Sequence, residues 1–200
     1  MNGKTPTTIF NTPILSGIYH YLAKLIMRLV GWRVDGKLPD LPKYVLIGAP
    51  HTSNWDFVLF LGVIFNLRAN VRFMGKAEVF RSPFGWFFRY CGGVPVDRSK
   101  STGLVEQMIH ACGESDHFIL TIAPEGTRHQ VQAWKRGFYH IAKGAGIPIV
   151  IAVVDGKHKT VRIGQMFHPT EDTEADMKYI QGLFEGIVGI NPRRKYITLK

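Results

Sequence analysis

The stretch YVLIGAPHTSNWDFVLFLGVIFNL, Tyr44–Leu67, decides how the rest of the chain is read. Tyr44 to Ile47 is short, apolar and rich in β-forming side chains, and reads as a strand. Thirteen residues from Trp55 to Leu67 are almost uniformly apolar, which is long for a strand and ordinary for a helix. Between them lies the polar cluster Ala49-Pro50-His51-Thr52-Ser53-Asn54, in which Ser53 or Asn54 can cap the helix that follows. A strand, a polar loop and a helix in that order make the first half of a βαβ unit.

The same alternation repeats downstream. Further strands are expected at Val71 to Met74, Val94 to Val96, Phe118 to Ile122, Ile149 to Val154 and Thr160 to Ile163. Helices are expected at Pro83 to Tyr90, Gly103 to Cys112, Lys135 to Lys143 and Glu174 to Ile187. Crossovers of this length return the next strand parallel, whereas the short Val154-Asp155-Gly156-Lys157 connection turns it antiparallel. The expected fold is therefore α/β, a mostly parallel central sheet flanked by helices. Ligand sites in such sheets gather at the carboxyl ends of strands, where three polar clusters fall: His51 to Asp56, Asp97-Arg98 and Pro124 to Arg128.

With 200 residues, 46% of them hydrophobic, the chain has enough apolar surface for one core, and no linker or internal repeat divides it. Its 25 Lys and Arg against 15 Asp and Glu give a formal charge of +10, which favours an anionic partner. No recognition-helix or RNA-binding signature accompanies that charge, so nucleic acid is not expected. Cys91 and Cys112 form neither a disulfide framework nor a metal-ligand spacing, and no pairing of His129, His140, His158 or His168 with other ligands suggests zinc.

The N-terminus does not read as a signal peptide, and Thr12 to Trp32 is interrupted by His20, Lys24 and Arg28, against a spanning helix. At ~100° per residue Ile14, Ile18, Leu22, Leu25, Ile26 and Leu29 share one arc, with Ser16, His20, Lys24, Met27 and Arg28 on the other. Such a helix either lies in the plane of an anionic bilayer or packs on the domain. The expected organisation is an N-terminal amphipathic, membrane-facing helix over residues 1–34 and a catalytic domain over 35–200.

His51 and Asp56 are four intervening residues apart, a spacing that lets the carboxylate in the first helical turn reach back to the imidazole. An Asp that accepts Nδ1–H fixes the tautomer and leaves Nε2 free as a base near neutral pH. Ser53 lacks the Gly-x-Ser-x-Gly elbow of a serine nucleophile, so direct transfer is preferred. The dyad gains meaning from its company: Gly92-Gly93-Val94-Pro95-Val96-Asp97-Arg98, then Pro124-Glu125-Gly126-Thr127-Arg128, then Ile147-Pro148-Ile149-Val150-Ile151-Ala152-Val153.

In these four ordered blocks the chain resembles the glycerolipid acyltransferase family typified by lysophosphatidate acyltransferase. Gly75-Lys76-Ala77-Glu78 and Pro83-Phe84-Gly85-Trp86 look like the start of its second block. The resemblance implies His51 as catalytic base, Asp56 as its orienting partner, and Arg98 and Arg128 as a phosphate-binding pair to which Lys76 adds charge. Glu125 would either contact the glycerol hydroxyls of the acceptor or hold Arg128. Gly126 would permit close backbone approach, and Thr127 would hydrogen-bond locally. The implied reaction moves an acyl group from acyl-CoA or acyl-carrier protein, as co-substrate, to a lysophospholipid, with lysophosphatidate the leading acceptor and phosphatidate the product. No cofactor or metal is implied. The expected location is the cytoplasmic face of a membrane, peripheral or monotopic. Pro50 stands where the family usually has Asn, and Val94-Pro95-Val96 is less aromatic than usual, so the resemblance speaks more to the His/Asp chemistry than to the acceptor. The rival class is a non-catalytic basic protein that binds anionic membrane.

Overall fold

The computed structural model describes residues 8–10, 12–96, 103–129, 131 and 133–192. Among them seven strands form one sheet: β1 (Arg33–Gly36), β2 (Lys43–Ala49), β3 (Arg72–Lys76), β4 (Gly93–Val96), β5 (Phe118–Ile122), β6 (Ile149–Asp155) and β7 (Thr160–Phe167). Their spatial order is β1-β7-β6-β2-β5-β3-β4, every pairing parallel except β6 with β7. The α/β architecture with a largely parallel sheet is thus borne out, as is the antiparallel return after Asp155.

β2 sits at the centre, its side chains buried on both faces. Val45, Ile47 and Ala49 join the core on one side, where Phe118, Leu120, Phe138, Ile141, Met177 and Ile180 pack. Tyr44 and Leu46 face the other core, with Val63, Ile64, Val71 and Ile163. Helices cover both faces. α1 (Pro13–Leu29), α2 (Trp55–Leu67) and α4 (Gly85–Tyr90) lie toward the second core, the one-turn α3 (Ala77–Arg81) packs on α4, β3 and β4, and α5 (Leu104–Gly113), α6 (Gly137–Ala145) and α7 (Thr173–Gly182) supply the first core. α2 has the bounds its sequence indicates.

Three elements depart from expectation: β1, the short α3 between β3 and α4, and α7. β1 has a mostly exposed, charged sequence with no alternation, and exists because its backbone pairs with β7 in the register Arg33↔Thr160 to Gly36↔Ile163. It crosses the residue 34/35 division between helix and domain, tying the end of the N-terminal segment into the sheet. α7 stops at Gly182 rather than Ile187: Leu183 to Ile187 continue as tight turns, with Phe184 fully buried and Gly186 at φ 74°.

The sequence leaves two orientations open for α1, facing a bilayer or packing on the domain. Of its two arcs, the large apolar one faces outward: Ile14 is 79% exposed and Leu29 76%, and Ile18, Leu22, Leu25 and Ile26 are exposed as well. The face that packs is the narrower one. Ala23 (8%) and Met27 (5%) are buried against α2, where Gly62 leaves room for the Met27 thioether: a β-carbon at Gly62 would lie 3.3 Å from its sulfur. His20 Nδ1 bonds the Phe65 carbonyl at 3.0 Å, and Lys24 and Arg28 stay in solvent. No helix among the described residues is long and apolar enough to cross a membrane.

Candidate active site

The site follows from the order of strands. β2 and β5 are parallel neighbours in the register Ile47↔Ile122, so the loops that leave their carboxyl ends start side by side. The chain then runs to α2 on one face of the sheet after β2, and to α6 on the other face after β5. Connections diverging to opposite faces leave a crevice between them, the place where open α/β sheets bind ligands. His51 lies in the first loop and Pro124 to Arg128 in the second.

His51 Nδ1 is 2.8 Å from Asp56 Oδ2. That same oxygen accepts the backbone N–H groups of Thr52 (2.6 Å) and Ser53 (2.7 Å), so one carboxylate atom gathers the loop around the imidazole. Charge-assisted bonds of this kind are shorter and stronger than neutral ones. Helix geometry makes it possible: Asp56 is in the first turn of α2, with its N–H bonded to the Ser53 carbonyl. The capping expectation resolves onto Ser53, whose hydroxyl accepts the Trp55 N–H at 3.2 Å, while Asn54 occupies the N-cap without a side-chain cap bond. The His51 ring is partly exposed and lines the adjoining cleft, to which Nε2 is left.

Glu125 is buried, 6% exposed, and its Oε1 accepts the His51 backbone N–H at 2.9 Å. Neither expectation for this residue named that contact. Burial pushes the carboxyl above the ordinary glutamate range, and the Asp56 charge pushes the same way; the His51 N–H, the Glu125 backbone N–H and the imidazole oppose them. Oε2 of Glu125 and Oδ1 of Asp56 are buried acceptors with no hydrogen-bond partner among the described residues.

Gly126 has φ 65°, a turn that calls for glycine, and a β-carbon there would sit 2.9 Å from Cδ of the flexible Lys135 side chain. Thr127 makes the local bond expected of it, its hydroxyl accepting the His129 N–H at 3.3 Å. Arg128 donates from Nη1 to Asn54 Oδ1, which brings a guanidinium to the His51 loop. Lys76 ends β3, is exposed, and lines the same cleft. Arg98, like its neighbour Asp97, lies outside the described residues. Sequence reading passed over Lys135, whose stem lies across Gly126, whose backbone N–H bonds the Pro124 carbonyl, and whose side chain also lines the cleft. Its position just ahead of α6, in Lys135-Arg136-Gly137, was the available signal.

The cleft has a volume of about 970 Å³. One end carries His51, Arg128, Lys76 and Lys135; the remainder runs between α2 and the sheet, walled by apolar side chains such as Phe57, Phe60, Val63 and Ile163. Elsewhere on the surface, Trp55, Phe84 and Trp86 are exposed, as are the cations Arg81 and Arg89. No group of three or more His, Cys, Asp or Glu among the described residues is placed to hold a metal ion.

Residues 33–155 match the model of a protein family described as Acyltransferase. The chain is 30% identical over 148 residues to a 1-acyl-sn-glycerol-3-phosphate acyltransferase of Streptococcus pneumoniae, covering 69% of this chain and 54% of that one. A second such enzyme, from Haemophilus influenzae, is 25% identical over 167 residues, covering 78% and 68%. The chain thus spans between about half and two-thirds of the length of these relatives. In fold it is similar to the crystal structure of the 1-acyl-sn-glycerophosphate acyltransferase PlsC from Thermotoga maritima, with a TM-score of 0.64 at 20% identity over 86% of this chain and 77% of that one.

Proposed function

Because the chain belongs to the Acyltransferase family, whose model covers its His51 and Glu125 loops together, we propose that it transfers a fatty-acyl group from a thioester to the free hydroxyl of a lysophospholipid, with lysophosphatidate the acceptor and phosphatidate the product. The observation that carries this is the His51–Asp56 contact of 2.8 Å at the junction of a cationic rim and an apolar cleft. The substrates combine a charged phosphate, a hydroxyl and a long hydrocarbon chain, and the cleft offers a matching environment for each. The names of the two sequence relatives support the choice of lysophosphatidate.

In the reaction, His51 Nε2 takes the proton from the acceptor hydroxyl as its oxygen adds to the thioester carbonyl. Asp56 Oδ2 holds Nδ1–H and stabilises the imidazolium that forms. Collapse of the tetrahedral adduct expels the thiolate of coenzyme A or acyl-carrier protein, which receives the proton from His51. Arg128, Lys76 and Lys135, with Arg98, bind the acceptor phosphate, the guanidinium groups offering paired donors. Glu125 keeps the His51 backbone in place through its N–H. The balance of the step requires no metal or redox cofactor.

The same proposal extends to an anionic membrane surface, on its cytoplasmic side. The outward arc of α1 and the exposed Trp55, Phe84 and Trp86 supply apolar side chains, and Lys24, Arg28, Arg81 and Arg89 flank them. Aromatic and basic groups together suit the headgroup boundary.

The test is incubation of the purified protein with mixed lysolipids and acyl-CoA or acyl-carrier protein, followed by lipid mass spectrometry. The expected product is phosphatidate from lysophosphatidate, abolished by His51→Ala. Equal, slow thiol release by wild type and His51→Ala across all lysolipids would discard the enzymatic reading in favour of a non-catalytic membrane-binding protein.

A further inference from the structure

We propose that the segment Gly189–Asn191, beyond α7 and outside the residues matched by the family model, positions the catalytic loop through the side chain of Thr52. The inference rests on the reading of His51 and Asp56 as the catalytic dyad.

Thr52 is the residue between His51 and the Ser53 N–H that Asp56 accepts. Its side chain is turned inward, 5% exposed, in a loop whose neighbours His51 and Ser53 are partly open. A buried hydroxyl without a partner would be costly. The partner comes from 139 residues away: Thr52 Oγ1 accepts the backbone N–H of Asn191 at 3.0 Å. Gly189 packs on the same side chain so closely that a β-carbon there would lie 2.6 Å from both Thr52 Oγ1 and Thr52 Cγ2, and 3.2 Å from Pro50 Cγ. Any side chain at 189 would therefore push on the two residues that flank His51.

The segment that makes these contacts is itself anchored. Gly156, at the tip of the β6–β7 hairpin, donates its N–H to the Val188 carbonyl at 2.7 Å and packs on the Gly189 carbonyl, where a β-carbon at 156 would come within 2.3 Å. Four residues before Val188, Phe184 is fully buried, its ring 5.2 Å from that of Trp134. Trp134 in turn precedes Lys135, whose N–H bonds the Pro124 carbonyl. The catalytic loop is consequently held from three directions. Asp56 gathers its backbone from α2, Glu125 holds the His51 N–H from the β5 side, and Gly189–Asn191 fixes Thr52 from behind.

Thr52 links the two ends of this arrangement, because its backbone N–H goes to Asp56 Oδ2 at 2.6 Å while its side chain goes to Asn191. Releasing the side chain lets the peptide between His51 and Thr52 tilt, which misaligns Nε2 relative to an acceptor hydroxyl without removing any group that touches substrate. Misplacement of that kind lowers the rate of the chemical step far more than it changes substrate affinity.

The experiment compares Thr52→Val, which keeps the size and branching but cannot accept a hydrogen bond, with Thr52→Ser, which keeps the hydroxyl, and with Gly189→Ala. Each is assayed with lysophosphatidate and acyl-CoA beside His51→Ala. For Thr52→Val we expect kcat to fall about tenfold or more with the KM for lysophosphatidate within about twofold, and Thr52→Ser to recover most of that loss. Gly189→Ala should lower kcat in the same way, and it carries the test if Thr52→Val does not fold. A kcat within about twofold of wild type in the folded variant, a loss that Thr52→Ser shares in full, or a change confined to melting temperature overturns the proposal. Full activity of His51→Ala would instead strike the catalytic reading on which it rests, and the two failures are distinguishable.

Discussion

Replacing Ile18 and Leu25 with serine separates the two faces of α1. These side chains are 55% and 54% exposed on the outward arc, so each offers about 100 Å² of surface to a bilayer, worth about 2.5 kcal/mol at roughly 25 cal/mol per Å². The pair therefore accounts for about 5 kcal/mol of membrane affinity, roughly 4,000-fold in partition coefficient. The folded domain loses little, since neither residue is buried and the lower helix propensity of serine costs only about 0.5 kcal/mol at each position. Met27→Ser should behave oppositely: this side chain is buried against Gly62, and its truncation should destabilise the fold by about 2–4 kcal/mol. Sedimentation with vesicles containing phosphatidylglycerol, beside thermal unfolding of the same samples, reads both quantities. Wild-type vesicle binding by the Ile18→Ser/Leu25→Ser protein, or a melting temperature lowered as far as by Met27→Ser, would refute the assignment of the faces.

Asp56→Ala removes the acceptor for two backbone N–H groups and Nδ1 of His51; kcat should drop by about 10³–10⁴, and stability by about 2 kcal/mol, measured by steady-state assay and urea unfolding. Glu125→Gln keeps an oxygen for the His51 N–H but cannot ionise. Since the folded Glu125 carboxyl titrates above the ordinary value of 4.5, its contribution to stability is complete below that pH and declines as pH rises through the folded value, so Glu125→Gln should gain on wild type in denaturant titrations as pH rises above 4.5. Parallel stability curves would contradict this. Cys91 and Cys112 are both buried, with burial pushing the Cys91 thiol to about 11, so a thiol reagent at pH 8 should label neither in the native protein and both after unfolding.

The β2–loop–α2 unit was legible because its signals are local: a short apolar run, a polar loop and thirteen apolar residues too long for a strand. Parallel pairing followed from crossover length, and the antiparallel β7 from the short turn at Asp155. Other features depend on contacts that no window of sequence contains. Periodicity divides α1 into two arcs but does not say which one packs; the answer lies in Gly62 of a different helix, which admits Met27. β1 is polar and owes its existence to β7, more than a hundred residues later. The spacing of His51 and Asp56 was informative, whereas the bond from His51 N–H to Glu125 joins residues 74 apart, and their proximity depends on β2 and β5 being neighbours. Lys135 belongs to the cleft only because the chain after Pro124 folds back over Gly126.

Pro95 has a consequence for how the molecule behaves in concentrated solution. β4 is the outer strand of the described sheet, and the bond from the Phe73 N–H to the Gly92 carbonyl sets which of its peptide groups point inward; by the parallel ladder, those of Gly93 and Pro95 point away. The missing amide hydrogen of Pro95 therefore falls on the open side, where a strand from another molecule would need a donor. Growth of the sheet by edge-to-edge recruitment is blocked at that end, and the short, charged β1 offers little purchase at the other. Among the described residues, the apolar side chains left open to self-association are then those of the outward arc of α1 and the exposed Trp55, Phe84 and Trp86.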